Sequence, residues 1–156
     1  MRPSKHEYYL AIAAAVGARA TCLIRCYGAV LVNTVGGRDR IISTGYCGAP
    51  RGQKDCLELG YCSRAASFSD GVVVSGQNYE KCTSIHGELN ALLQASAADA
   101  LGSTMYIYGR DSKAGMQAAG KPCRYCRDAM INAGVERVVV SASEPGKYEV
   151  LDLRNV

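Results

Sequence analysis

Residues 104–141 contain the pattern that decides the fold: an apolar run TMYIY (104–108), a segment of helical length CRYCRDAMINA (123–133) and a second apolar run RVVVS (137–141). Short apolar runs bounded by turn residues are typical of buried strands, and the segment between them is typical of a crossover helix. Because such crossovers join parallel strands, this half of the chain predicts an α/β fold. A further helix is predicted over residues 85–98.

The first half of the chain adds strands of opposite direction to the predicted sheet. Residues 26–33 (CYGAVLVN) and 40–44 (RIIST) have the composition of strands, and the glycines at 36–37 favour an antiparallel hairpin between them. A helix over residues 4–19 precedes the hairpin, and residues 148–153 alternate as a last strand would. The central sheet is therefore predicted to be mixed.

The composition is that of a soluble globular chain, with 48% hydrophobic and 21% charged residues, and we expect a single domain over residues 1–156. Apolar runs fall short of the roughly 18 residues that a membrane span needs. The N-terminal stretch has the pattern of an amphipathic helix rather than a secretion signal, which favours a cytoplasmic protein. The net charge of +4 suits a phosphate-bearing ligand, whereas the lack of a basic block argues against a nucleic-acid partner.

Eight cysteines are many for a chain of 156 residues. In a reducing compartment, cysteines at short spacings more often bind metal or act in catalysis than form disulfides. Residues 45–84 contain several of them, and an irregular stretch of this length inside a compact domain needs something that orders it. The sequence therefore predicts metal binding before disulfides.

Two short motifs stand at the starts of the two later predicted helices: His86-Gly87-Glu88, and Pro122-Cys123 followed three residues later by Cys126. Residues three apart share one face of a helical turn, so both sulfurs can bind one ion, and His86 adds a nitrogen from the other helix. Three ligands of the His/Cys/Cys kind leave one position of a tetrahedral zinc site open for water. An open position is typical of catalytic zinc.

Glu88 lies two residues after His86, where its carboxylate can take a proton from the water and pass it to a leaving amine. Either motif alone is weak evidence, because Cys-x-x-Cys is often structural and His-x-Glu is uninformative. Together they match the signature H-x-E…P-C-x-x-C of zinc-dependent nucleobase deaminases. The sequence therefore predicts Glu88 as the catalytic residue and His86, Cys123 and Cys126 as the metal ligands.

Over roughly residues 5–141 the chain resembles the deoxycytidylate (dCMP) deaminases and the related competence-type ComE deaminases. The similarity lies in four stretches: STGYCGAPRG (43–52), HGELNAL (86–92), PCRYC (122–126) and INAGVERVV (131–139). The resemblance implies the three-layer α/β/α sandwich of the cytidine deaminase-like superfamily. It also implies a homo-oligomer that uses zinc to convert a cytosine nucleotide, in the first place dCMP, to dUMP and ammonia.

The resemblance suggests three residues for substrate contact. Tyr27 precedes a strand that runs under the substrate in the family, so its ring is a candidate for stacking on a pyrimidine or for ordinary core packing. Cys47 stands where the family usually has Asn, and a thiol is the poorer hydrogen-bonding group. Gly87 replaces the usual Ala. Residues 109–121 are longer than the family's connection and are expected to form a lid or wall of the site, or a surface insertion.

Many deoxycytidylate deaminases carry a second, structural zinc, and the resemblance makes Cys22, Cys56, Cys62 and Cys82 its candidate ligands here. Inert buried thiols are the alternative.

Two other functions stay open. One is a zinc deaminase that acts on another nucleobase, a nucleoside or RNA, although the modest net charge argues against RNA. The other is a zinc-stabilised, ComE-like binding protein without catalysis, against which Glu88 argues because a structural site needs no acid or base.

Overall fold

The computed structural model of the chain describes residues 1–155, and within them it has one central sheet of six strands. In chain order the strands are β1 (Arg25–Val35), β2 (Arg38–Tyr46), β3 (Thr104–Asp111), β4 (Gln117–Ala118), β5 (Arg137–Ser141) and β6 (Tyr148–Asp152). Across the sheet the order is β2-β1-β3-β5-β6, with β4 beside β3. β3 and β5 are parallel and the other pairs are antiparallel, which confirms the predicted mixed sheet.

Helices cover both faces of this sheet. They are α1 (Lys5–Gly17), α2 (Cys56–Leu59), α3 (Ser63–Ala66), α4 (Gly87–Leu93), α5 (Ala97–Ala100) and α6 (Arg124–Ala133), with 3₁₀ turns at Tyr79–Lys81 and Leu153–Asn155. α1 packs on one face, and α4, α5 and α6 pack on the other. The architecture is the expected three-layer α/β/α sandwich. Over residues 1–155, none of the helices has the length and apolar character that crossing a membrane requires.

Alternate side chains of the central strands fill two separate cores. On β1, Ala29 and Leu31 pack with α4 and α6, whereas Val30 and Val32 pack with α1. Tyr106 on β3 lies in the α1 core, and its neighbours on both sides lie in the other. Because both faces of these strands are buried, their sequences read as continuous apolar runs rather than as alternating ones.

Several predicted boundaries are confirmed. α1 begins after Ser4, whose hydroxyl accepts from the Glu7 amide while the Glu7 carboxylate accepts from the Ser4 amide. This reciprocal capping box satisfies backbone donors that the helix leaves free. The β1–β2 hairpin turns at Gly36 and Gly37, both with positive φ, as a tight turn of this kind requires.

The prediction of one helix over residues 85–98 is wrong in its extent. α4 ends at Leu93, and α5 begins after Ser96, whose hydroxyl accepts from the Asp99 amide. This local side-chain bond starts a new helix and competes with continuation of the old one. The prediction missed it because apolar spacing continues across the break.

Residues 109–121 extend the central sheet through the end of β3 and through β4. Gly109 and Arg110 pair with Tyr27 and Cys26 of β1, and the chain then returns through β4. The segment is therefore anchored to the strand that underlies the site described below.

Helix α4 approaches β2 so closely that Gly45 has no room for a side chain. A Cβ atom on Gly45 would overlap the carbonyl oxygen of Gly87 and the amide nitrogen of Ala91. Because both are backbone atoms of α4, the helix as a whole would have to shift. Gly45 therefore sets the distance between the sheet and the helix that begins at the His86 motif.

We expect Gly45→Ala to lower the free energy of unfolding by about 1–3 kcal/mol, the usual cost of overpacking. The control is Gly48→Ala, because the nearest atom to a Cβ there is 3.6 Å away. That variant should stay within about 0.5 kcal/mol of the parent protein. Urea unfolding of the three proteins measures both effects, and equal stabilities for the two variants would contradict the close approach.

Candidate metal centre and active site

The structure brings His86, Cys123 and Cys126 together at the N-terminal ends of α4 and α6. Nδ1 of His86 lies 3.5 Å from Sγ of Cys123 and 3.3 Å from Sγ of Cys126. In the part of the chain that the structure describes, this is the one group of three or more His, Cys, Asp or Glu residues whose ligand atoms all lie within 4.8 Å of one another.

The local backbone explains why these side chains are available. His86 and Cys123 are the N-cap residues of α4 and α6, both in extended conformation, and neither side chain caps its own helix. The N-caps Ser4, Asp55 and Ser96, by contrast, all accept a bond from their helices. The two unused N-cap side chains therefore turn towards each other, and Cys126 joins them from the first turn of α6.

The spacing of the three donor atoms fits zinc. With Zn–N near 2.05 Å and Zn–S near 2.3 Å, two ligands of a tetrahedral ion are about 3.6 Å apart. The two nitrogen–sulfur separations of 3.5 and 3.3 Å are close to this value. One imidazole and two sulfurs are also ligands that zinc prefers, and they leave a fourth position free.

The two thiols differ strongly in acidity. The neighbouring Cys126 thiol, through a side-chain hydrogen bond, lowers the pKa of Cys123 to about 4, and His86 adds to this effect. The same bond raises the pKa of Cys126, with burial as a further cause. A dication bound by both sulfurs would displace the protons that they still carry and leave two thiolates.

Glu88 lies beside this group and is 4% exposed. Burial raises the pKa of its carboxyl group, while the charge of His86 acts in the opposite direction. The ion pairs found within residues 1–155 all lie elsewhere. A buried carboxyl group without a salt bridge is costly for a fold, so its presence here points to a chemical role.

Asn90 holds the glycine-rich segment against α4, a role that the sequence analysis missed. Its Nδ2 donates to the carbonyl oxygen of Tyr46 at 2.8 Å. Gly48 and Ile85 exchange two backbone hydrogen bonds on the other side of Cys47. The signal in the sequence was an Asn one helical turn after His86, but its partner is distant along the chain.

Cys47 is 4% exposed and lies at the junction of β1, the glycine-rich segment and α4. Its backbone amide donates to the carbonyl oxygen of Tyr27 at 3.2 Å, and burial raises the pKa of its thiol. Tyr27 packs partly against the α4 core and also lines the cavity, so stacking on a base stays a prediction.

A cavity of about 440 Å³ opens in front of the metal group. This size is within the range of pockets that bind small organic ligands. Tyr27, Cys47, His86, Glu88 and Cys123 all line it, together with the end of the 109–121 segment at Ala119 and Lys121. That segment therefore supplies part of a wall of the site.

The four cysteines proposed for a second zinc are neighbours but are not at the spacing of metal ligands. Cys22, Cys62 and Cys82 line the cavity. Cys56 is 1% exposed, and its sulfur lies near the hydroxyl groups of Thr83 and Ser84. All eight cysteines in the described residues are free thiols.

Comparison with known proteins identifies the family. The model of the cytidine and deoxycytidylate deaminase zinc-binding region matches residues 3–142. The match includes both motifs of the metal group and the whole central sheet except β6. The chain belongs to this zinc-dependent deaminase family.

Three relatives carry the name deoxycytidylate deaminase. The protein of Mycobacterium phage D29 is 34% identical over 139 residues, which are 88% of this chain and 94% of the relative. The proteins of Schizosaccharomyces pombe and Saccharomyces cerevisiae are each 32% identical over 91% and 92% of this chain. This chain spans 38% and 39% of the length of those two yeast proteins.

We expect Cys123→Ser and Cys126→Ser each to lower the zinc content by about one atom per chain, because a hydroxyl group is a far weaker zinc ligand than a thiolate. Cys26→Ser is the matched control, since Cys26 is buried in β1 and its sulfur contacts Ala20, Cys22 and Ser112. Elemental analysis of protein purified without chelator provides the measurement. Unchanged zinc in the first two variants would place the metal elsewhere.

Proposed function

We propose that this chain catalyses the hydrolytic deamination of a cytosine nucleotide, dCMP and water giving dUMP and ammonia. The observation that carries the proposal is the buried carboxyl group of Glu88, which lies beside His86, Cys123 and Cys126. The names of the three relatives supply the substrate. The site residues proposed from the sequence keep their roles, with His86, Cys123 and Cys126 as zinc ligands.

His86, Cys123 and Cys126 would hold a zinc ion, which would lower the pKa of a bound water from about 15.7 to about 7 and so supply a nucleophile at neutral pH. Glu88 would take one proton of the water and give it to N3 of the ring as the water oxygen bonds to C4. It would then take the second proton from that oxygen and give it to the amino group, so that ammonia leaves as the C4–N bond breaks and C4 becomes a carbonyl. The burial of Glu88 favours the protonated form, which suits a group that must carry a proton between two atoms. One carboxyl group next to the metal can serve all of these steps.

Tyr27, Cys47 and Gly87 would hold the base. Tyr27 and Cys47 line the cavity, and Gly87 lies at the start of α4 between His86 and Glu88. A thiol here gives the base a weaker hydrogen-bonding partner than an amide would. We therefore expect shape and stacking to contribute more to base recognition at this position than hydrogen bonding.

The proposal is tested by following ammonia release from dCMP, CMP, dCTP, cytidine, adenosine and guanine with purified, zinc-loaded protein. The expected result is release from dCMP above the others. Release from a purine alone would assign the site to another nucleobase. No release from any of them would favour the non-catalytic zinc protein.

We also propose a structural zinc at Cys22, Cys56, Cys62 and Cys82. The backbone amide of Ala65 donates to the sulfur of Cys62 at 3.4 Å. Such bonds stabilise thiolates. Burial and mutual repulsion raise the pKa of Cys22 and Cys82, and a dication would remove that repulsion.

Two finer aspects of the biology belong to the proposal as well. A homo-oligomer is supported by apolar side chains on the surface, such as Leu93 and Leu101, which are 76% and 69% exposed. A cytoplasmic location is supported by the eight free thiols, because reducing compartments keep cysteines in this form.

Glu88→Gln keeps the size of the side chain but cannot carry a proton. We expect kcat for dCMP to fall by at least about 10²- to 10⁴-fold, the usual range for loss of an acid/base group. Zinc content and melting temperature should stay at the parent values, and both are measured beside kcat. Retention of more than about a tenth of kcat, far above that range, would show that another group moves the proton.

The second site predicts two zinc atoms per chain in the parent protein and about one in Cys62→Ser or Cys82→Ser. The remaining zinc should be the catalytic one, so these variants should keep some dCMP turnover. Zinc content measured by elemental analysis, with Cys26→Ser as control, decides the point. A parent protein with a single zinc, unaffected by either substitution, would remove the structural site.

A further inference from the structure

The irregular segment 51–84 forms one wall of the cavity, and Arg64 is held rigidly within it. Its Nε donates to the carbonyl oxygen of Gln77 at 2.9 Å, and its Nη2 donates to that of Val74 at 2.8 Å. The guanidinium group also lies 4.0 Å from the centre of the Tyr79 ring. Three contacts therefore fix the plane and the direction of this cation.

These contacts leave much of the guanidinium group unused. Two of its five N–H groups are occupied, and the remaining three lie on Nη1 and Nη2. That edge is a two-pronged donor, which matches two oxygens of a phosphate group. Within residues 1–155 Arg64 forms no ion pair, so its charge is not compensated by a carboxylate.

The other cations of the cavity are less suited to hold an anion. Lys121 is exposed and already 3.6 Å from the Glu149 carboxylate. Arg25 is exposed, and no contacts among the described residues fix its guanidinium group in the way that Val74, Gln77 and Tyr79 fix that of Arg64. Arg64 alone among the cavity's three cations is half-buried, and it lines the cavity together with Glu88, the acidic residue of the lining.

We propose that Arg64, stacked on Tyr79, binds the 5′-phosphate of the substrate and makes the enzyme select a nucleotide over a nucleoside. This inference rests on the proposed deaminase function. Because C4 of the base must lie at Glu88, the phosphate at the other end of the nucleotide must meet a different part of the lining. The 51–84 wall offers a fixed cation in the same cavity, one without an ion pair in the described part of the chain.

The test compares kcat/KM for dCMP and for deoxycytidine, which lacks the phosphate. Arg64→Gln should lower the value for dCMP by about 100-fold, the effect of losing a two-pronged, charge-assisted contact, and change that for deoxycytidine by less than about threefold. Equal losses for both compounds would overturn the proposal, because a role in ordering the wall affects both. Should Arg64→Gln fail to fold, Arg64→Lys must still lower the ratio by about tenfold.

Asn78→Ala is the matched control for loosening of the wall. Asn78 Nδ2 donates to Ser67 Oγ at 2.9 Å in the same segment, and its side chain is not part of the cavity lining. The preference of this variant for dCMP over deoxycytidine should equal that of the parent protein. A loss of preference as large as that of Arg64→Gln would assign the effect to the wall as a whole.

Calorimetry with inorganic phosphate separates this inference from the proposed function. Zinc-loaded parent protein should bind phosphate, and Arg64→Gln should bind it at least about tenfold more weakly. Turnover of dCMP with equal phosphate binding by both proteins would overturn the role of Arg64 alone. Phosphate binding that depends on Arg64, in a protein that deaminates no cytosine compound, would overturn the deaminase function instead.

Discussion

The rest of the structure depends on the contact between the N-terminal ends of α4 and α6. His86, Cys123 and Cys126 come together at this contact. The amide groups at the start of a helix carry partial positive charge, and His86 and Cys123 stand there without capping their helices. Two thiolates offset that charge, and a bound zinc ion in turn offsets the thiolates. The fold, the metal and the nearby acid Glu88 are thus parts of one electrostatic arrangement.

The sheet and the glycine-rich segment hold this arrangement in place. Gly45 lets the α4 backbone pack directly on β2. Asn90, which belongs to α4, donates a side-chain hydrogen bond to the carbonyl oxygen of Tyr46 at the end of β2. Cys47 lies next to these contacts, and its amide donates to the carbonyl oxygen of Tyr27 on β1. A shift of α4 would therefore move His86 and Glu88 together with Gly87, one of the residues proposed to hold the base.

Local signals made the metal group predictable from sequence. His86, Glu88, Cys123 and Cys126 stand within two short motifs, and helix geometry relates the residues of each motif. The 109–121 hairpin also had a local signal that was overlooked, because Asp111 accepts from the amides of Lys113 and Ala114 as turn-forming Asp residues do. The motif indicated that Glu88 lies near the metal ligands, but it did not show that the side chain is buried.

The remaining features depend on residues far apart in the chain. Arg64 contacts Val74 and Tyr79 only because the segment 51–84 folds back on itself. The spacing of apolar residues in this segment does not predict that fold. The bond from Asn90 to Tyr46 likewise joins residues on different elements. Sequence patterns predicted which side chains could bind metal or transfer protons. The walls of the cavity, by contrast, are formed by tertiary contacts between distant segments.

The central claim is that this metal group, with Glu88, adds water to a cytosine ring and releases ammonia. Mass spectrometry of the product formed from dCMP in oxygen-18 water tests it most directly. The account predicts dUMP that carries one heavy oxygen at C4, formed together with ammonia by the zinc-loaded protein and not after removal of the metal. Product without the heavy oxygen, or turnover that survives complete metal removal, would contradict it.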